Sequence, residues 1–266
     1  MQEADISGHG GTAPVVLITG ASRGIGAETA RLLSSRAGAR IIVNYREKRR
    51  RADAVVADIT GSGGEALAAR ADLTEPAEVA AMLATIKAAY GRIDVLVLNA
   101  SGGMERDADP GYALRLNRDA QLHLADGATD LMPAGARIVF VTSHQAHFHG
   151  QQPAIEAYEP VARSKRAGED ALRAKIPELS GRGIDLVVVS GDMIEGTTTV
   201  MLLDRAQPGL VTARRAQVGS IPTIGEFAGA VVAAATRRYP AGHTIYVGGP
   251  DYLAAHQDRA AQPDRP

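Results

Sequence analysis

Three glycines close a short β-branched run in Val15-Val-Leu-Ile-Thr-Gly-Ala-Ser-Arg-Gly-Ile-Gly26, and residues of these types at this spacing handle phosphate. Gly20, Gly24 and Gly26 stand where a strand must turn sharply, let its backbone approach a pyrophosphate, and pack closely on the next helix. The loop from Gly20 through Ser22, Arg23 and Ile25 to Gly26 is therefore expected to hold a dinucleotide, with free N–H groups and the helix dipole facing the phosphates. The spacing is Thr19-Gly-x-x-x-Gly-x-Gly26, not the commoner Gly-x-Gly-x-x-Gly.

The second candidate strand ends in Asn44-Tyr45-Arg46, where an adenosine ribose is expected. An acidic residue there would accept from a free 2′-hydroxyl, and none is present. Arg46 together with Arg23 instead suits a 2′-phosphate, which guanidiniums clamp through charge-assisted hydrogen bonds, so the expected cofactor is NADP(H). The competing reading takes Arg46 and the following Lys48, Arg49, Arg50 and Arg51 as a solvated helix start. Asp72, with Leu73, follows the third strand, where a carboxylate can accept from an adenine amino group or equally cap the next helix. Asn99-Ala100-Ser101-Gly102 ends the fourth strand in residues small enough for close backbone approach. His144, His147 and His149 cluster after the fifth, at the expected mouth of the site, where imidazole can move protons or meet an anion. No metal is expected, because no carboxylate completes a ligand set in that stretch.

These positions need a frame. Strand-like segments near 15–19, 40–45, 65–70, 94–99, 137–143, 184–190 and 243–248 alternate with helix-like ones, among them 27–36, 75–90, 110–132 and 160–178. The alternation predicts an α/β fold, a Rossmann-like doubly wound parallel sheet of about seven strands in a single domain. Apolar runs such as Ile93-Asp-Val-Leu-Val-Leu98 and Leu186-Val-Val-Val189 suit strands covered on both faces. Ligands of such sheets gather beyond the carboxyl ends of the strands, where the residues above fall.

Composition narrows the function classes. A chain of 266 residues with a formal net charge of −1 carries no basic surplus for nucleic acid or an anionic membrane. With no cysteine there are no disulfides or thiolate sites, which is compatible with a reducing cytoplasm, the expected location. No apolar run reaches bilayer length, and Met1-Gln-Glu-Ala-Asp-Ile lacks the order of a secretion signal. Polar residues 1–13 and 255–266 are expected to be flexible tails around a domain spanning 14–254.

Taken jointly, the motifs resemble those of the short-chain dehydrogenase/reductase family. Thr19-Gly-x-x-x-Gly-x-Gly26 is similar to its cofactor motif, Asn99-Ala-Ser-Gly102 to its Asn-Asn-Ala-Gly, Leu116-Asn117 to its helix asparagine, and Ser143 with Ser164-Lys165 to its catalytic serine and lysine. The resemblance runs over roughly residues 14 to 250. It implies hydride transfer on a nicotinamide cofactor by an Asn, Ser, Tyr and Lys tetrad, and a homodimer or homotetramer acting on a small molecule. Ser143 would bind the substrate oxygen, Lys165 the nicotinamide ribose, and Asn117 a water-linked proton route. Met193 and Ile194 would offer backbone to the carboxamide, and residues 200–211 would form a partly apolar substrate lid.

One member of the tetrad is displaced. The family places tyrosine four residues before the lysine, but that position is Val161, and the nearest tyrosine is Tyr158, seven before Lys165. Seven residues of unbroken helix climb roughly 10 Å, against about 6 Å for four. Pro160 offers a way out: proline favours the first turn of a helix and biases its predecessor away from helical geometry, so Tyr158 can precede the helix. Its phenol is then expected near Lys165, whose ammonium would lower the phenol's pKa. The expected activity is carbonyl reduction or alcohol oxidation on a small, partly apolar substrate. The Tyr-x6-Lys spacing, similar to that of enoyl reductases, supports C=C reduction as the alternative. Val161 supports a degenerate NADP-binding regulator as a third. Arg205, Arg214 and Arg215 read as surface charges or as contacts for an acidic carrier protein.

Overall fold

The computed structural model describes residues 12–104, 109 and 111–254, so the expected tails lie outside the described residues except for Thr12 and Ala13. β1 (Val15–Ile18), β2 (Arg40–Tyr45), β3 (Glu65–Arg70), β4 (Val95–Leu98), β5 (Arg137–Ser143), β6 (Asp185–Gly191) and β7 (His243–Val247) form one sheet. Their order is β3-β2-β1-β4-β5-β6-β7, with all neighbours parallel. Strand order reverses between β1 and β4, which opens a crevice at their carboxyl ends.

The apolar runs are explained by burial on both sides. Leu17, Ile42, Leu96, Ile138 and Leu186 enter one core, while Val16, Ile41, Val43, Val97 and Val139 enter the other. Successive side chains point to opposite faces, so a strand between two helical layers is apolar at every position.

The helices are α1 (Gly24–Ala37), α2 (Arg49–Gly61), α3 (Pro76–Tyr90), α4 (Tyr112–Leu114), α5 (Ala120–Thr129), α6 (His144–His147), α7 (Glu159–Ala174), α8 (Ile176–Gly181), α9 (Thr198–Ala206), α10 (Leu210–Val218) and α11 (Ile224–Thr236). Among the described residues, no helix is long and apolar enough to cross a membrane.

Two expected helices differ in detail. The one placed at 110–132 contains a π turn, Arg115–Asp119, between α4 and α5, and it stops at Thr129. The one placed at 160–178 is two helices that meet at Lys175. Pro177 has no N–H for the turn before it, and its ring crowds that turn's carbonyl, so an unbroken helix cannot pass through. The expected lid is a helical pair, α9 and α10, joined through Gly209 in a left-handed conformation (φ +87°).

Candidate active site

The glycine loop is built against the end of β4. A Cβ on Gly26 would lie 2.6 Å from Asn99 Nδ2 and 2.8 Å from the Gly20 carbonyl, so no other residue fits that contact. Asn99 Nδ2 donates to the Thr19 carbonyl at 2.9 Å, and Thr19 Oγ1 accepts from the backbone N–H of Asn99 and of Ala100, each at 2.9 Å. These bonds close the two loops on each other and leave their outer faces to a ligand.

A cavity of about 740 Å³ runs along the carboxyl ends of the strands. It is lined by every residue expected to bind cofactor: Gly20, Ser22, Arg23, Gly24, Ile25, Gly26, Asn44, Tyr45, Arg46, Asp72, Leu73, Asn99, Ala100, Ser101, Lys165, Met193 and Ile194. Ser143 and Tyr158 line it too; Asn117 does not. The glycine cradle and the size of the cavity fit a dinucleotide.

Several of these side chains are committed to the protein. Asn44 is buried: its Oδ1 accepts from Gly20 N–H at 3.2 Å, and its Nδ2 donates to the Ala69 and Ala71 carbonyls at 3.3 and 3.2 Å. It staples β2, β3 and the glycine loop together. Asp72 Oδ1 accepts from Thr74 N–H and Oγ1 at 2.9 and 2.7 Å, which makes a turn ahead of α3, and the residue lines the cavity. Met193 N–H donates to Asp192 Oδ1 at 2.8 Å, so Ile194 is the better backbone donor of the pair. Arg46 donates to Tyr112 Oη, its guanidinium lies 5.8 Å from the centre of that ring, and its Nε lies 3.2 Å from Glu47. Lys48 and Arg51 line the cavity together with Arg23 and Arg46, whereas Arg49 and Arg50 do not.

At the reaction end, Tyr158 closes a 3₁₀ turn, Glu156–Tyr158, and caps α7 from outside the helix, with Pro160 in the first turn. The phenol is 7% exposed, and its Oη lies 3.3 Å from Ser143 Oγ. Gln145 Oε1 accepts from Ile155 N–H at 2.8 Å and fixes the segment that carries it. Val161 is buried beside Tyr158, Ala162 and Leu203, packs the core and lies outside the cavity lining.

Burial pushes the Tyr158 phenol above its usual range, with the Ser143 hydrogen bond opposing. Lys165 is not among the causes of that shift, contrary to the expectation that its ammonium would lower the phenol. Lys165 itself is buried and lowered to about 8 by loss of hydration, with Glu169 pulling the other way, and its Nζ lies 5.9 Å from the centre of the Phe140 ring.

Asn117 sits in the π turn, a feature that often marks functional sites. Its Nδ2 donates to the Gly102 carbonyl at 2.8 Å and to Ser164 Oγ at 2.9 Å, so its side chain ties the β4 loop to α7 and leaves only backbone for a proton route.

Of the three histidines only His144 lines the cavity. His144 is fully buried, with Nε2 donating to the Gly248 carbonyl at 3.0 Å and Nδ1 2.8 Å from Ser190 Oγ; burial lowers its pKa. A carbonyl can only accept, so in the neutral ring Nδ1 accepts from the serine hydroxyl. His147 pairs with buried Glu169 behind the cavity, and His149 Nε2 lies 3.3 Å from Glu159.

The far wall joins apolar Ile155, Val200, Leu203 and Leu210 to a polar group the sequence did not reveal. Arg214, read above as a surface charge or carrier contact, is 8% exposed. Its Nε lies 3.0 Å from each Asp192 oxygen, and two nitrogens donate to Asp251 at 2.8 Å each. Burial opposes its charge, but Asp251 and Asp192 outweigh burial and raise its pKa. Arg215 is 44% exposed and paired with Glu195, in keeping with a surface charge.

A seven-stranded parallel sheet with this cavity at its switch point defines a dinucleotide-binding α/β protein. Residues 14–208 match the family model described as short chain dehydrogenase, and the chain belongs to that family of oxidoreductases. It is similar to a 3-oxoacyl-[acyl-carrier-protein] reductase of Synechocystis sp., 48% identical over 36% of this chain and 38% of the relative. It is also similar to versicolorin reductase 1 of Aspergillus parasiticus, 36% identical over 51% and 54%, and to 1-cyclohexenylcarbonyl-CoA reductase of Streptomyces collinus, 32% identical over 68% and 65%. The match thus spans between about a third and two thirds of these relatives' lengths. Among solved structures, a short chain dehydrogenase from Burkholderia cenocepacia in complex with NADP superposes with a TM-score of 0.77 at 27% identity, covering 89% of this chain and 96% of that one. The promiscuous reductase LugOII, which catalyses keto-reduction at C1 in lugdunomycin biosynthesis, gives a TM-score of 0.76 at 27% identity, covering 91% and 98%.

Proposed function

We propose that the chain is an NADP(H)-dependent carbonyl reductase, or alcohol dehydrogenase in the reverse direction, acting on a small, partly apolar substrate. The observation that carries this reading is the buried pair of Tyr158 Oη and Ser143 Oγ at 3.3 Å, opening on the same cavity as Lys165. A bound nicotinamide supplies the hydride. Ser143 hydrogen-bonds the carbonyl oxygen, and Tyr158, held protonated by burial, gives its proton to that oxygen as negative charge develops there. Lys165 presents an ammonium to the nicotinamide ribose. Arg23, Arg46, Lys48 and Arg51 surround the expected 2′-phosphate, a setting suited to NADP(H), which the NADP-bound neighbour also supports.

Against the regulator reading, which Val161 motivates, stands Tyr158, buried beside Ser143 and not turned to solvent. C=C reduction keeps the support of the Tyr158 to Lys165 spacing and gains that of the relative named as a cyclohexenylcarbonyl-CoA reductase. The Arg214 charge, answered by two carboxylates, gives no support to contact with an acidic carrier. The same reading takes the enzyme as a cytoplasmic homodimer or homotetramer that pairs through the helices around 110–132 and 160–178.

Incubation with NADPH and cyclic or aryl ketones, with enones in parallel, is expected to yield secondary alcohols. A saturated ketone formed from an enone with its oxygen retained, and no alcohol from any ketone, would reject the carbonyl reading.

A further inference from the structure

Glu169 lies one helical turn beyond Lys165 on α7 and is fully buried, at 0% exposure. A carboxylate stripped of water persists as an anion only if partners hold it. His147 Nδ1, from α6, lies 2.8 and 3.0 Å from its two oxygens, and Arg173 Nε donates to Oε1 at 2.8 Å. These partners are fixed in turn. His147 Nε2 lies 3.0 Å from Tyr246 Oη on β7, and Arg173 donates to the Gly242 carbonyl and to Thr244 Oγ1, each at 2.7 Å. Arg166 donates to the His147 carbonyl at 2.6 Å.

None of His147, Glu169, Arg173 or Tyr246 lines the cavity, whereas Lys165 does. The proposed reaction does not use the cluster.

We propose that Glu169 is a positioning residue for Lys165: a carboxylate clamped by His147 and Arg173 behind the cavity, whose charge keeps the Lys165 side chain an ammonium facing the coenzyme site. The groups around it are Lys165, Arg166 and Arg173 on α7, His147 on α6 and Tyr246 on β7, and the Phe140 ring of β5 lies across Lys165. Burial lowers Lys165 to about 8 even with Glu169 in place. With the carboxylate neutralised the lysine loses its opposing charge, and its neutral amine begins to dominate near physiological pH. Glu169 itself is held in the ionised form: burial raises its pKa, but the His147 hydrogen bond and charge and the Arg173 guanidinium together bring it below the usual carboxylate value.

The inference rests on Lys165 serving the coenzyme as proposed above, and its test separates the two. Lys48, Lys87, Lys165 and Lys175 are the chain's lysines, so 13C-lysine NMR of cofactor-free protein can follow Lys165 directly, assigned through Lys165→Met. The wild-type midpoint is expected near 8, and Glu169→Gln lowers it by about one pH unit, the size expected for removing a nearby opposite charge. Arg173→Gln, on the partly exposed side of the cluster, moves it upward, because the carboxylate then acts with less compensation. In turnover, the alkaline limb of kcat/KM shifts down with Glu169→Gln, whereas a purely structural role would lower activity at every pH without moving the limb. An unchanged Lys165 midpoint in Glu169→Gln, or in Arg173→Gln should the first variant not fold, overturns the inference. A wild type that reduces no carbonyl overturns the functional reading alone, since the NMR titration needs no substrate.

Discussion

Replacing Tyr158 by Phe separates the acid from the packing aromatic, because the ring stays and only the hydroxyl goes. The hydroxyl makes one long contact, 3.3 Å to Ser143 Oγ, and Ser143 Oγ still accepts from Ala146 N–H at 3.2 Å afterwards. No buried group is left unpaired, so the stability cost is at most about 1 kcal/mol, or a melting shift of roughly 2–4 °C for a chain of this size. The chemical cost is larger. Loss of a positioned general acid removes about 10²–10⁴ in rate, equivalent to about 3–5 kcal/mol of barrier.

Turnover should therefore fall at least a hundredfold, while the melting temperature and NADPH affinity stay near wild type, as read by coenzyme oxidation, thermal denaturation and NADPH fluorescence. Activity within tenfold of wild type would refute the assignment of Tyr158 as acid. Adding Val161→Tyr to this variant sharpens the test. Val161 is 3% exposed and packed against Tyr158, Ala162 and Leu203, so a phenol there overpacks the core by about 1–3 kcal/mol and does not restore turnover. Recovery of activity in the double variant would place the acid at 161 and undo the geometric argument.

Two further perturbations address the ends of the cavity. Arg46→Ala should weaken NADPH about five- to tenfold, a modest effect because Arg46 is 41% exposed, and leave NADH affinity unchanged; equal losses for the two coenzymes would refute a 2′-phosphate contact. Arg214→Leu strands the Asp192 carboxylate, whose side chain is 4% exposed, and should cost about 3–5 kcal/mol, lowering the melting temperature by about 6–20 °C; a loss under 1 kcal/mol would show that the guanidinium is not structural.

The parts of this molecule legible in its sequence are those whose causes are local. The glycine loop is readable because backbone geometry and close approach admit few other residues, and the strands because burial on both faces demands an apolar residue at every position. What stayed hidden depends on partners far away in sequence. Asn44 is at the expected place, yet it holds Gly20, Ala69 and Ala71 backbone. His144 reaches Ser190 and Gly248, and Arg214 reaches Asp192 and Asp251, contacts that no periodicity announces. The π turn around Asn117 is equally silent, since it differs from an α turn by one residue in the hydrogen-bond step.

The displaced tyrosine shows how a spacing rule stops at a helix boundary. A step of four residues from tyrosine to lysine is a statement about one face of a helix, and it binds only while both residues are helical. Tyr158 lies outside α7, in a turn whose path is set by Gln145 on Ile155 N–H and by Ser143 on the phenol itself. Its hydroxyl is therefore positioned from β5 and α6, while Lys165 is positioned from α7 and, by the inference above, charged by Glu169. The acid and the ammonium are then set by separate devices. It follows that substitutions at Gln145 should disturb the acid without moving the Lys165 titration, and substitutions at Glu169 should do the reverse.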